Sequence, residues 1–364
     1  MGFDGTEMTS TLSSLLSRLQ PAGVILFARN IQTGEQTAQL LRDCQKYVTA
    51  PLFTCVDLEG GTVDRFREAL GATPSAADVF ASGERKLYRR HGELIGKNCR
   101  ALGFNVDFAP VLDLAFEASR SVLSSRAVSA SPRETVAYTR EFLAGLQAAK
   151  VLGCGKHFPG LGEGTLDSHH DLPVIDKSLK KLWAEDLAPY RQLRRRLPLV
   201  MISHAAYPQV THDQKPASLS KTWITDILRR RIGYKNLVVS DDLEMRGVLA
   251  AAPIGQAAVE FIRAGGDLCL ICHREDYILQ AHEELVQAAA DDKKFARRTA
   301  DAAVRVRAFK KKYARMLRAE TGARAGHVAS HAAIEKLSRG LWEFTEQVRI
   351  QTLNRGETRR RPRR

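Results

Sequence analysis

Short apolar segments rich in β-branched residues recur along the chain and are its strongest pattern. Seven such segments lie at 23–27, 52–56, 106–110, 151–158, 199–204, 237–240 and 267–272. Most of them are continuously apolar, which is typical of parallel strands covered on both faces. Helical segments separate them, and their capping signals include the Ser-Pro-Arg-Glu of 131–134. The pattern therefore predicts alternating strands and helices, and an α/β fold with a parallel sheet.

The number of strands points to a barrel. Seven strands are one fewer than an eight-stranded barrel needs, and Met1-Gly2-Phe3 reads like the end of a strand whose beginning is absent. We therefore predict a (β/α)8 barrel of the TIM type with a truncated first strand. A shortened strand leaves an exposed sheet edge. We expect either a natural start upstream of Met1, which we favour, or a barrel that tolerates a frayed first strand.

The pattern changes near residue 291, where basic, alanine-rich helix replaces the strand signals. We predict a catalytic barrel over 1–290, a helical extension over 291–353 and a basic, disordered tail over 354–364. The extension is interpreted as a solvated helical face. Because no aromatic residues alternate with the arginines of the tail, we expect no nucleic-acid partner.

Charge and cysteine content narrow the protein's class and surroundings. The chain has 55 Lys and Arg residues against 41 Asp and Glu residues, a formal net charge of +14 that favours anionic partners. No apolar run approaches the ~18 residues of a membrane-spanning helix, so we expect no membrane insertion. The six cysteines are scattered, mostly in apolar segments, as reduced thiols are. We therefore expect a cytoplasmic protein.

Polar side chains gather where the predicted strands end, at 56–67, 156–169 and 240–245. The C-terminal strand ends of an α/β barrel carry its active site. Asp241 and Asp242 close an apolar strand, where burying a carboxylate is costly unless it binds cations or does chemistry. The alternative is that Asp242 only caps the following helix.

The segment after the fourth strand combines an acid with an imidazole. Asp167 stands two residues before His169, a spacing at which a carboxylate stabilises a protonated imidazole for proton transfer. Three glycines in 160–164 predict a mobile loop. The alternative is a surface loop with incidental histidines. A metal site of His157, His169, His170 and Asp167 is a rival interpretation, but the spacing fits no known metal motif.

Together these segments resemble glycoside hydrolase family 3, in its single-domain bacterial β-N-acetylglucosaminidase form. The resemblance runs from Gly2 to about Asp267. It is most specific in Lys-His-Phe-Pro-Gly at 156–160, followed by Asp-Ser-His at 167–169, and in the strand that ends in Ser-Asp-Asp-Leu-x-Met at 240–245. Gly-Val-Ile-Leu-Phe-Ala-Arg-Asn at 23–30 and Asn-Val-Asp-Phe-Ala-Pro-Val-Leu-Asp at 105–113 extend it.

The resemblance implies a fold, a reaction and roles for particular residues. It implies a (β/α)8 barrel that hydrolyses terminal β-linked N-acetylglucosamine with retention of configuration. Asp241 matches the nucleophile, His169 the general acid/base and Asp167 its partner. The residues matched to sugar binding are Asp57, Arg65, Arg126, Lys156 and His157. No metal or organic cofactor is implied, and the substrate in the family is a muropeptide fragment released during cytoplasmic cell-wall recycling.

Several positions depart from the family pattern without removing a proposed catalytic group. They are Leu58, Thr62, Ala127-Val128, Leu161 and Asn236. We expect these departures to affect the rate and the substrate preference more than the class of reaction. The alternatives are another family 3 β-glycosidase of the β-glucosidase kind, a catalytically weak barrel that binds muropeptides, and a metal-dependent hydrolase. The sequence leaves the oligomeric state open between monomer and dimer.

Overall fold

The computed structural model of the chain describes residues 1–164, 172–317 and 330–360, with backbone alone over 357–360. Within these ranges seven strands form one parallel sheet: β1 (Gly23–Ile25), β2 (Phe53–Val56), β5 (Val106–Asp107), β6 (Leu152–Phe158), β7 (Leu199–Ile202), β8 (Leu237–Asp242) and β9 (Leu268–Leu270). An antiparallel hairpin, β3 (Leu58–Gly60) and β4 (Val63–Asp64), follows β2. Each of the seven predicted strands is confirmed, whereas the hairpin lies in the polar segment 56–67, for which no strand is predicted.

Helices surround the sheet. In chain order they are α1 (Ser10–Leu19), α2 (Gly34–Lys46), α3 (Arg67–Leu70), α4 (Ala76–Ala81), α5 (Arg85–Ala101), α6 (Arg120–Leu123), α7 (Pro132–Ala148), α8 (Leu179–Ala184), α9 (Leu187–Leu193), α10 (Pro208–Thr211), a π-type helix (Thr222–Arg231), α11 (Arg246–Leu249), α12 (Ile254–Ala264), α13 (Glu275–Asp291), α14 (Lys293–Lys312), α15 (Ala314–Leu317) and α16 (His331–Arg360). In the described parts of the chain, none is both long and apolar enough to cross a bilayer.

The two edges of the parallel sheet meet at the first residues of the chain. On one side the Ile25 N–H donates to the Met1 carbonyl at 3.0 Å, and on the other the Gly2 N–H donates to the Ile271 carbonyl at 2.8 Å. A Cβ atom on Gly2 would lie 2.1 Å from the Cys272 carbonyl oxygen, so this close approach requires glycine. The sheet thus curls into the predicted TIM-type barrel, with a very short segment in its eighth position.

The interior of the barrel is closed at its N-terminal end by a helix from the basic extension. Phe309 of α14 is buried with Phe53, Leu152 and Leu199, which point inward from three strands. Asp267, at the start of β9, also accepts a hydrogen bond at 2.8 Å from Arg305 of α14. Since α14 begins at Lys293, the extension predicted from residue 291 shares a core with the barrel.

The last helix is longer than the sequence indicates. A disordered tail is predicted from residue 354, but α16 continues to Arg360. Leu341 and Phe344 are buried on its inner face, and Arg355 donates to the Ala81 carbonyl at 3.0 Å. These contacts with the helices beside the barrel stabilise a segment whose composition favours disorder.

Candidate active site

The predicted polar residues lie at one rim of the barrel because all parallel strands end there. Asp57 follows β2, Lys156 and His157 belong to the end of β6, and Asp241 belongs to the end of β8. The β3–β4 hairpin returns the chain toward this rim. Its turn requires Gly60, whose φ is +84° and where a Cβ atom would lie 2.3 Å from the Pro74 carbonyl oxygen. The strand ends therefore bring together residues that are far apart in sequence.

A network of buried charges forms the floor of this rim. The Lys156 ammonium lies 2.7 Å from a carboxylate oxygen of Asp57 and 2.7 Å from one of Glu59. Arg126 donates two hydrogen bonds to Glu59, at 2.7 and 2.8 Å. Burial opposes ionisation of Glu59, but Arg126 and Lys156 outweigh it and hold the pKa of Glu59 well below its usual range. Paired carboxylates and cations thus fix one another's positions.

Asp113 orients His157. Its Oδ2 atom accepts hydrogen bonds from His157 Nδ1 at 2.7 Å and from the His157 backbone N–H at 3.1 Å, and its Oδ1 accepts from the Leu161 N–H at 2.8 Å. Because a carboxylate oxygen accepts, the proton of this hydrogen bond lies on Nδ1 of His157. The other ring nitrogen, Nε2, then accepts from Arg126 at 3.4 Å. His157 therefore joins Asp113 to the charge network.

Asp241 is placed as an anion at the same rim. Burial opposes its ionisation, but the neighbouring imidazoles of His157 and His204 and the Asp242 N–H lower the pKa of Asp241 below its ordinary value. That N–H donates to Asp241 Oδ1 at 2.9 Å. A carboxylate in this state can act as a nucleophile at neutral pH.

His204, at the end of β7, holds the backbone beside Asp241. Its Nε2–H donates to the Asp242 carbonyl at 2.9 Å, and the Ser218 hydroxyl donates to its Nδ1 at 2.8 Å. The carbonyl only accepts, which assigns the proton to Nε2. Burial lowers the pKa of His204. Both nitrogens of His204 are engaged, which suits it to positioning.

The predicted residue Arg65 lies apart from this network. The Arg65 guanidinium lies 5.6 Å from the centre of the Phe27 ring, and its buried Nε has no hydrogen-bond partner among the described residues. Asp167 and His169 lie outside the described residues. The chain on either side of 165–171 lies beside the segment after β7, since Tyr207 donates to the Gly160 carbonyl at 2.8 Å and Ala206 to that of Pro173 at 2.8 Å.

Three residues of the site, Glu59, Asp113 and His204, were not predicted. Glu59 stands two residues after Asp57, a spacing that places both on one face of an extended segment. Asp113 lies three residues after the predicted strand 106–110, and His204 is the last residue of the predicted strand 199–204. Their position near the end of a strand was therefore the signal in the sequence that could have indicated these residues. Their hydrogen bonds join residues 14 to 67 positions apart, which the sequence does not display.

Three departures from the family pattern keep their side chains out of the charged network. Leu58 is fully buried and its N–H donates to Asp107 at 3.0 Å. Leu161 is buried in the core beside β7, and its N–H reaches Asp113. Asn236 donates to the Leu197 carbonyl at 2.9 Å. These side chains support the site from outside and form no part of its polar network.

A neutral substitution of Glu59 should be strongly destabilising, because it leaves Arg126 and Lys156 without their shared carboxylate. We expect Glu59→Gln to lower the free energy of unfolding by about 3–5 kcal/mol at pH 7. The folded pKa lies below the ordinary 4.5, so the stabilisation is full above pH 4.5 and declines as the pH falls further. Urea titrations should therefore show a difference in unfolding free energy between wild type and Glu59→Gln that becomes smaller in acid.

The matched control for this change is Glu68→Gln, at an exposed glutamate of α3. It should leave the unfolding free energy within about 0.5 kcal/mol of the wild-type value. Equal stability of Glu59→Gln and wild type at pH 7 would show that the buried network contributes nothing.

Comparison with known proteins identifies the family of the chain. Residues 3–308 match the glycosyl hydrolase family 3 N-terminal domain, more than four-fifths of the chain. The chain belongs to this family. It is 37% identical over 273 residues to a beta-hexosaminidase of Idiomarina loihiensis, covering 74% of this chain and 82% of that protein. It is 38% identical over 280 residues to a beta-hexosaminidase of Bordetella avium, covering 75% and 79%.

Solved structures of family members have the same fold. A family 3 beta-N-acetylglucosaminidase from Paenibacillus sp. superposes with a TM-score of 0.85 at 30% identity, covering 94% of this chain and 66% of that longer one. NagZ from Neisseria gonorrhoeae in complex with N-trifluoroacetyl-D-glucosamine superposes with a TM-score of 0.74 at 29% identity, covering 94% and 97%. The family 3 chain described here therefore has the barrel that its sequence predicts.

Proposed function

We propose that this protein is a retaining β-N-acetylglucosaminidase that removes terminal, β-linked N-acetylglucosamine. The observation that carries the proposal is the position of Asp241 at the end of β8, on the barrel rim that also carries Asp57, Lys156 and His157. Membership of a glycosyl hydrolase family supports the reaction class. Relatives named beta-hexosaminidase and the NagZ structure with an N-acylglucosamine ligand support the sugar.

In the proposed first step, the Asp241 carboxylate attacks the anomeric carbon of the sugar. A bond forms between that carbon and a carboxylate oxygen, and the bond to the leaving oxygen breaks. His169 gives its proton to the leaving oxygen, and Asp167 stabilises the imidazolium beforehand. In the second step the neutral His169 takes a proton from water, whose oxygen attacks the same carbon and releases Asp241. Two inversions give overall retention.

The charged network is proposed to bind the sugar's hydroxyl and acetamido groups. Lys156 is almost fully buried, whereas Asp57 and Arg126 each keep about a sixth of their side-chain surface exposed at the rim. Acceptors and donors are therefore accessible on a rigid support, and little side-chain freedom remains to be lost on binding. Arg65 is proposed to contribute its unpartnered guanidinium N–H to the same ligand.

The proposed natural substrate is a muropeptide fragment, N-acetylglucosamine linked to anhydro-N-acetylmuramic acid, in cytoplasmic cell-wall recycling. Acidic lactyl and peptide groups on such a fragment are compatible with a net charge of +14. All six cysteines are unpaired thiols, and five of them are buried. Unpaired cysteines are usual in a reducing compartment.

The proposal is tested by comparing nitrophenyl β-glycosides of N-acetylglucosamine and glucose. We expect kcat/KM for the N-acetylglucosaminide to be higher by about 100-fold or more. Hydrogen-bond donors that bind the acetamido group are left without a partner when glucose occupies the site. Equal values or a preference for the glucoside would contradict the proposed sugar. Tight binding of N-acetylglucosamine without any turnover would indicate a binding barrel instead.

A further inference from the structure

The C-terminal helix α16 presents apolar side chains on its outer face as well as on its inner one. Leu341, Phe344 and Val348 are buried against the barrel's helices, whereas Trp342 is 67% exposed and Leu353 56% exposed. Seven large hydrophobic side chains of the described residues are exposed, and three of them, with Ile350 as the third, lie on this one helix. Such a concentration marks an interaction surface, whereas scattered single residues do not.

Two of these exposed residues, Trp342 and Leu353, lie in one stripe along the helix. Trp342, Glu346, Arg349 and Leu353 are separated by four, three and four positions, so they lie on the same side of α16. The two charged residues form an ion pair at 2.8 Å. We call these four residues the outer stripe. It is apolar at both ends and carries one acid and one base in the middle.

The outer stripe is complementary to a copy of itself. An axis perpendicular to α16 that passes between Gln347 and Val348 places Trp342 opposite Leu353 of a second copy. The same rotation places Glu346 opposite the second copy's Arg349. Each contact occurs twice, which is the property of an interface with two-fold symmetry. Antiparallel helices packed in this way bury the apolar ends and pair the charges between them.

We propose that two copies of this chain form a dimer through antiparallel α16 helices, with the outer stripe at the centre of the interface. Because the stripe has no net charge, it suits a second copy better than an anionic surface. Trp342 is the expected anchor, since tryptophan is prominent among residues that dominate binding energy. The helix lies outside the matched family segment 3–308, and the pairing uses no residue of the candidate active site. The proposal is thus independent of the proposed function.

Sedimentation of the full-length chain tests whether the dimer forms. Wild-type protein at about 100 µM should have about twice the monomer mass of 40.4 kDa. Trp342→Glu should weaken association by about tenfold or more, because it places a charge in the apolar contact. The matched control is Val304→Glu, at a residue 55% exposed on α14, which should leave the wild-type mass unchanged. A monomeric wild type, or a dimer indifferent to Trp342→Glu, would overturn the proposal.

Charge exchange tests the antiparallel register. Glu346→Arg gives a chain with arginine at both charged positions, and Arg349→Glu gives a chain with glutamate at both. Each variant alone repels its own copy, so association should weaken by several-fold. An equimolar mixture of the two variants should form a mixed dimer, because the arginines of one chain then face the glutamates of the other. Weaker association of each single variant together with recovery in the mixture is specific to the proposed facing of these residues. Single variants that associate as wild type does, or a mixture that associates no better than its components, would overturn it.

Discussion

Replacing Asp241 with alanine should nearly abolish turnover of a nitrophenyl β-N-acetylglucosaminide, lowering kcat by about 10⁴-fold or more. The reason is that the other carboxylates described at this rim, Asp57, Glu59 and Asp113, are each engaged by a cation or an imidazole. The neighbouring Asp242 accepts a hydrogen bond from the Glu244 N–H at 3.1 Å, and burial raises its pKa to about 7. Steady-state rates of purified protein measure the effect. A kcat within tenfold of the wild-type value would mean that Asp241 is not the nucleophile.

Azide provides the control that separates chemistry from folding. A small anion can enter the space left by the Asp241→Ala side chain and attack the anomeric carbon in place of the carboxylate. Only one inversion then occurs, so the product should be the α-glycosyl azide. Asp276→Ala, at an exposed aspartate of α13, should retain wild-type kcat. Azide rescue with this stereochemistry requires an intact sugar site, which a misfolded variant lacks.

Replacing His169 with alanine should have the second largest effect, and it should depend on the leaving group. A poor leaving group needs a proton as its bond breaks, so its rate should fall by about 10²–10⁴-fold. A good leaving group such as dinitrophenolate departs without that proton, and its rate of cleavage should fall much less. Measuring kcat/KM for a series of aryl glycosides gives this dependence directly.

The control for His169 is the adjacent residue of the same type. His170→Ala should leave the dependence on leaving-group pKa at its wild-type slope. Equal losses for good and poor leaving groups in His169→Ala would remove His169 as the acid. Since Asp167 is assigned to stabilise the imidazolium, Asp167→Ala should steepen the same dependence to a smaller degree.

The barrel could be predicted because its signal is local. A parallel strand covered on both faces is continuously apolar, and β6, with every residue buried, matches the predicted segment 151–158 closely. Strand ends then place Asp57, Lys156 and Asp241 at one rim without further information. The short Met1–Gly2 segment in the eighth position was also readable, since Met1-Gly2-Phe3 resembles the end of a strand.

The site's supporting groups could not be predicted in the same way. Glu59 lies in a segment that reads as a glycine-containing loop, and only the β3–β4 hairpin brings it to Arg126 and Lys156. Asp113 owes its role to hydrogen bonds with His157, 44 residues away. Pairings of this kind arise from tertiary proximity, which residue spacing does not encode.

At the C-terminal helix, the prediction from composition was wrong. Its arginine-rich composition favours a disordered tail from residue 354, yet Arg355 reaches the Ala81 carbonyl and the helix continues. An amphipathic helix docked by Phe344 and Leu341 gains stability from packing, which outweighs the preference of its last residues. The outer stripe became visible only once the inner face of α16 was known.

The central claim is that Asp241 forms a covalent bond with the sugar, and trapping the intermediate tests it most directly. A slow substrate, an N-acetylglucosaminyl fluoride with a second fluorine on the ring, should inactivate the enzyme in a time-dependent manner. Peptide mass spectrometry should then find one added sugar on the peptide that contains Asp241, and none in Asp241→Asn. A label on another side chain, or unlabelled protein that still cleaves this substrate, would contradict the account.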